Sequence, residues 1–533
     1  MKQIVKGAKA REALVNGICE VAEAVETTLG PRGKNMALSF QYGGPQITND
    51  GVTGARNIEI DDPILMVGVD LAKEVCMKAN DIAGDGSTTT LVVLKALVKG
   101  AQEKQELGTT PMGVRSGIEM ATGEALEILD ASAIKIKTLE EIKQVATISA
   151  ESEEIGEIIA ETVREIGQHG TVAVEESTTF GIEKEIVEGM QFDKGFVSPY
   201  MVTDAERMEA VYENSYVLVI DKKLESIEPI VPLLNQLKQE GIGGLTIIAH
   251  DFDQAATGAL VQNKMRNVFS GLAIKAPGYG NQTREMLEDL AILTGAEVIG
   301  QEGGVLLDKV QKKHLGRVRK VIAKQDKTTF IGGKGDKAAV KARVDLLQGQ
   351  LDNADAGFDK ERLQERLAKL TGGVAVLRVG APTETEMKYL KLKIEDAVNA
   401  TKAAVEHGIV PGGGMALFRV AKKLSVSVGK KKLSASERVG YEIVIGALVA
   451  PVLQILKNAD VDPGVLEDLE DDEKSGYDAK KGVIVKDMIK AGIIDPVLVT
   501  RTALERSASV AGLVITTETL IAYIPQKAED KKS

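Results

Sequence analysis

Residues 83–90 read AGDGSTTT: one carboxylate between two glycines, then four consecutive hydroxyl side chains. The glycines let the backbone approach a ligand closely. If Ser87, Thr88 and Thr89 open a helix, they aim unpaired N–H groups and hydroxyls at an anion. Asp85 could then hold a magnesium ion bridging phosphate oxygens. A turn with an N-cap explains the octapeptide equally well, so the other glycine turns matter. TLGPRGKN (28–35) is a second such turn with hydroxyl and basic flanks, and ITNDGVTGAR (47–56) sets Asp50 before a glycine. Three of them within 90 residues resemble parts of one composite phosphate site. The GxxxxGK[ST] loop, the kinase set and the GxGxxG fingerprint do not occur, and GGKGDKAA (332–339) lacks a hydroxyl after its lysine.

The elements that must hold these turns are mostly helical from about residue 8 to 130. In TTLVVLKALVKG (89–100), Leu91, Leu94 and Val98 recur at helical spacing, the opposite face is also apolar, and Gly100 is placed to end the helix. Between about 190 and 300 short β-rich runs, SYVLVI (215–220), LTIIAH (245–250) and LAIKAP (272–277), alternate with helical stretches such as EPIVPLLNQLKQEG (228–241), the texture of an α/β domain. DKERLQERLAKLTGG (359–373) puts Leu363, Leu367 and Leu370 on one stripe, with Asp359 as N-cap and Gly372 as stop. Helical texture returns after about 385. The closing KAEDKKS (527–533) is expected to be disordered.

The chain has 533 residues, long enough for two to four domains. A net charge of −12 and an aromatic share of 3% oppose both a phosphate-binding surface and base stacking, so nucleic acid is excluded as a partner. Cys19 and Cys76 are too few for a disulfide framework, which suits a reducing compartment. His169, His250, His314 and His407 stand in no metal-ligand spacing with the cysteines. Neither a signal sequence nor an apolar run of membrane-spanning length is expected, which points to a cytoplasmic protein, or a processed organellar one, with no membrane contact.

TLGPRGKN, ITNDGV, NDIAGDGSTTT (80–90), VEGMQFDKGFVSPY (187–200), KLTGGVAVLRVG (369–380), IEDAVNATKAAVEHGIVPGGG (394–414) and ASVAGLVITTE (508–518) occur in one order along the chain. Together they resemble a group I chaperonin of the GroEL type, from about residue 4 to 525. The resemblance implies a multi-domain α and α/β fold, nested so that both chain ends build one domain. A mainly helical equatorial domain takes 1–131 and 407–525, a small α/β intermediate domain 132–187 and 374–406, and an α/β apical domain 188–373, with 526–533 as the tail. It further implies an ATPase that uses Mg²⁺ and K⁺, and a homo-oligomer of heptameric rings, two of them stacked. Its partners would be non-native protein clients and a GroES-type lid.

Carried over residue by residue, the resemblance lines the phosphate end with Thr28, Leu29, Gly30 and Pro31 and gives phosphates and metal to Asp85, Gly86, Ser87, Thr88 and Thr89. Gly413 goes to the ribose, Asp478, Ala479 and Asp495 to the nucleoside, and the carbonyls of Thr28 and Asn49 to K⁺. Asp396 is the carboxylate that activates water, assisted by Asp50. Phe196, Tyr200, Met201, Val231, Leu234 and Val261 are expected to grip clients and then the lid. The chain departs from the family at Asn49 (usually Lys), Ser87 (Thr), Asp478 (Asn) and Pro411 (a small residue), and at Thr257 and Gln262, where the family is aliphatic. A Gly-Gly-Met tail is missing. Alternatives are a group II-like or lid-independent ring, a small-molecule ATP enzyme, and a ring scaffold without turnover.

Overall fold

The computed structural model describes residues 2–523 except 40–44, 106–107, 137, 151, 168–169, 178, 206, 279, 301–303, 355–357 and 470–472, so the expected disordered tail lies outside the described residues. The chain divides into two compact units, one of residues 1–161, 178–180 and 380–533, the other of 162–177 and 181–379. Residues 132–187 and 374–406 are therefore shared between them.

The first unit is a helical assembly drawn from both ends of the sequence. Helices Ala8–Val25, Pro63–Ala83, Ser87–Gln105, Pro111–Ala131, Met415–Ser427, Ala435–Asn458 and Val497–Thr516 bury their apolar faces in one core that includes Ile18, Val69, Leu94, Ile118, Leu448 and Leu504. Lys2–Lys6 pairs antiparallel with Thr519–Tyr523, which ties the two ends together. The helix expected to stop at Gly100 runs on to Gln105. Glycine weakens a helix interior by only about 1 kcal/mol, and the helix beyond it buries Ala101. A second correction concerns membrane-spanning length. Ala435–Asn458 is long and apolar enough to cross a membrane by length and composition, with mean hydropathy 1.9, yet 56% of that apolar stretch is buried inside the protein. It is a core helix opened by a Ser434–Glu437 capping box.

In the second unit the strands Ser270–Lys275, Gly244–Ala249 and Tyr216–Ile220 lie parallel, as the alternating texture predicts, and continue antiparallel into Gly316–Ala323, Thr328–Gly333 and Gly189–Phe192. Helices Val231–Gln239 and Gln254–Met265 connect the parallel strands. Helix Phe358–Thr371 buries Leu363 and Leu370 as its stripe requires, with Asp359 inside its first turn rather than at the cap. That helix is clamped by charge. Arg366, 5% exposed, donates through Nε and Nη2 to both oxygens of the fully buried Asp289, at 2.8 and 3.0 Å, and through Nη1 to Glu285 at 2.6 Å. Arg343 reaches the same Asp289 at 2.7 Å.

Candidate nucleotide site

The AGDG turn joins two core helices. Gly84, at φ 72°, ends the Pro63–Ala83 helix in the left-handed region and donates its N–H to Asn80. The carbonyl of Gly86 accepts both the N–H and the hydroxyl of Thr90, at 2.9 and 2.8 Å, which makes Gly86 the N-cap of the next helix. Ser87, Thr88 and Thr89 therefore form the first turn, and their backbone N–H groups have no acceptor within the helix. Asp85 turns its carboxylate back to accept the N–H of Gly86. It reaches solvent, yet the protein crowded around it and the negative charge of Asp50 raise its pKa, against the lowering effect of the Gly86 N–H.

The 28–35 and 47–56 turns close on this loop. Thr28 and Thr88 bring their hydroxyl oxygens within 3.4 Å. Gly51 comes so near that a Cβ there would lie 2.3 Å from Thr88 Oγ1 and 2.7 Å from Ser87 Oγ, so a side chain there would displace both hydroxyls. Asp50 caps the helix Gly51–Arg56, its carboxylate accepting the N–H groups of Val52 and Thr53, at 3.1 and 2.9 Å, and the Thr53 hydroxyl. It thus has a structural task besides the one expected of it. Asn49 is exposed, and Pro31 and Gly30 lie at the open end of their turn.

The second half of the chain supplies the other wall. Strand Ile409–Pro411 pairs with Ile494–Pro496, Val410 opposite Asp495, and the glycines that follow bring the Gly413 N–H onto the Asp495 carboxyl. Burial pushes Asp495 up to about 7, and the charge of Asp85 adds to the rise. Leu29 packs against Ile455 and Ala479 in one small cluster, bringing together residues 450 positions apart. Asn458 donates its amide to the carbonyls of Glu26 and Leu29, at 2.8 and 2.9 Å, and Arg32 reaches Lys480 O at 3.3 Å. Neither residue stands out in the sequence. Asp478 Oδ1 accepts the N–H groups of Lys480 and Lys481, each at 3.0 Å, so this acid organises its own turn.

Asp396 is half-buried on the helix Glu384–His407, one turn before Asn399, which touches Gly84. The expected water-activating carboxylate therefore stands on a helix docked to the AGDG turn. Among the described residues no group of three or more His, Cys, Asp or Glu side chains forms a ready-made metal site. The Asp85 carboxylate, crowded by protein and facing the negative charge of Asp50 beside the N–H groups of a helix start, would suit a cation held together with phosphate oxygens.

Client-binding residues expected from the resemblance separate into two groups. Tyr200 is 69% exposed, Val231 is exposed and Val261 half-buried. Phe196, Met201 and Leu234 are core instead, a correction with clear causes. The Phe196 backbone bridges to Ile274, Met201 is fully buried with its sulfur accepting the N–H of Ala273, and Leu234 shares the inner face of its helix with Leu233 and Leu237. Met265, 70% exposed, was not anticipated. Thr257 is half-buried and Gln262 exposed.

Comparison with known proteins settles the family. The family model described as TCP-1/cpn60 chaperonin matches residues 21–525. The chain belongs to the TCP-1/cpn60 chaperonin family. Among solved structures it is similar to the chaperonin gp146 from the bacteriophage EL 2 (Pseudomonas aeruginosa), crystallised in the presence of ATP-BeFx in two crystal forms. The TM-scores are 0.70 and 0.63 at 20% identity, over 98% of this chain and 99% of that one. The multi-domain α and α/β architecture is the chaperonin fold.

Proposed function

We propose that this chaperonin binds ATP with Mg²⁺ in the cleft around Asp85, hydrolyses it to ADP and phosphate, and uses the cycle to capture and enclose non-native proteins. One observation supports the reading: the turns that carry Thr28 and Gly51 close on Ser87 and Thr88 at a helix start, beside the Asp85 carboxylate and within electrostatic reach of Asp495. Such a helix start binds phosphate through its N–H groups and its positive dipole end. Mg²⁺, when bound to Asp85, neutralises charge on the phosphate oxygens. The chain does the rest. Ser87, Thr88 and Thr89 hold the phosphates, Ala479 and Asp495 flank the nucleoside, and Asp396 orients the attacking water and takes its proton. K⁺ at the carbonyls of Thr28 and Asn49 rests on the family resemblance alone.

Membership of group I, the three-domain division, heptameric rings stacked in pairs, a GroES-type lid and a cytoplasmic location belong to the same proposal. Clients would be held by Tyr200, Val231, Val261 and Met265, apolar side chains of the second unit at or near the helices Val231–Gln239 and Gln254–Met265, three of them exposed and Val261 half-buried. Support for rings comes from Ile4, Ile47 and Ile521, all exposed on two-stranded sheets, which are marginal unless a further strand or surface covers them.

The deciding experiment compares Asp396→Ala with Asp85→Ala. The first is expected to bind Mg-ATP like the parent and hydrolyse it ~10²–10⁴-fold more slowly. The second is expected to lose nucleotide affinity itself. Parent-rate turnover by Asp396→Ala would remove it from the catalytic role.

A further inference from the structure

The tightest contact of the AGDG turn is with a residue that has no assigned task. A Cβ built on Gly84 would lie 2.1 Å from Asn399 Cβ, 2.7 Å from its Cγ and 3.0 Å from its Nδ2. The Asn399 side chain thus rests directly on the backbone one residue before Asp85. It is exposed, and its amide makes no hydrogen bond among the described residues, so the contact is one of shape. Asn399 follows Asp396 by three positions on a continuous helix, which places both on the same stripe. The flanking Ala397, Val398 and Ala400 are buried, and Asn399 is the exposed residue of its turn.

We propose that Asn399 is a positioning residue: its carboxamide seats the Glu384–His407 helix against Gly84 and thereby fixes how far Asp396 stands from the phosphate loop. The inference rests on the catalytic reading of Asp396. A carboxylate that removes a proton from water must lie within hydrogen-bonding reach of it, and misplacement by about 1 Å costs on the order of 10²-fold in rate. Gly84 is the natural counterpart, because any side chain there would push the helix outward. The Gly84→Ala variant also adds backbone strain at positive φ, however, so it is the poorer probe.

The test uses Asn399→Ala and Asn399→Leu in the full-length protein, with Asp396→Ala alongside. Alanine at an exposed helical position favours the helix, so folding is preserved. Phosphate release gives kcat, and titration with a fluorescent adenine nucleotide gives Kd. Asn399→Ala is expected to lower kcat about tenfold with Kd within twofold of the parent, and Asn399→Leu, which restores the bulk, to recover at least threefold over the alanine variant. Parent-like kcat in Asn399→Ala overturns the proposal. So does Asn399→Leu as slow as Asn399→Ala, because the amide would then act by hydrogen bonding, and so does a large loss of affinity. If Asp396→Ala itself turned over normally, the catalytic reading would fail first.

Discussion

Burial holds the Asp495 carboxyl up at about 7, with Asp85 adding repulsion and the Gly413 N–H opposing it. An acid whose pKa is higher folded than unfolded binds its proton more tightly in the folded state. Its contribution to stability is present below the unfolded value of 3.8 and is lost as pH rises through about 7. Asp495→Asn cannot ionise and escapes that loss. In the absence of metal and nucleotide, the melting temperature of the variant relative to the parent should therefore climb by ~2–4 °C between pH 5 and pH 8. A difference that stays flat across that range would mean that the Asp495 carboxylate ionises without penalty. The same local excess of negative charge is what a magnesium ion would relieve.

At the scale of elements, the Arg366–Asp289 clamp is the sharpest case. Removing one partner of a buried pair leaves the other charge uncompensated, at a cost of ~3–5 kcal/mol. Arg366→Ala should lower the denaturation midpoint of the second unit and speed amide exchange across Phe358–Thr371; unchanged exchange there would show that Arg343 alone satisfies Asp289. Several elements were legible in the sequence because period and punctuation coincide. The three parallel strands fall within a residue or two of their β-rich runs, and the leucine stripe of 363, 367 and 370 faces inward. Gly100 misled because a local stop signal yields to tertiary packing. Phe196, Met201 and Leu234 misled because a resemblance transfers positions without saying which side of a helix or loop the sheet covers. For the nucleotide site, residue types were visible in each turn, but their convergence was not. Leu29 meets Ala479, and Gly84 meets Asn399, only through the fold.

For the whole molecule, the exposed strand faces at Ile4, Ile47 and Ile521 and the family assignment lead to one expectation: the purified chain should run as a ring-sized particle in size-exclusion chromatography and show rings by negative-stain microscopy. A monodisperse particle of one or two chains, with and without Mg-ATP, would remove the ring from the proposal. The antiparallel pairing of Lys2–Lys6 with Thr519–Tyr523 has a consequence for biosynthesis. The residues that complete the helical unit, 380–523, emerge last, so Leu14, Ile18 and Val21 wait for Leu448, Leu504 and Leu520 to be made. At ~5–20 residues per second that delay is on the order of tens of seconds. By then the second unit, 162–177 and 181–379, has been made in full. During its own synthesis, then, this chaperonin is an unfinished chain with bare apolar helices, the same kind of object that it is proposed to shelter.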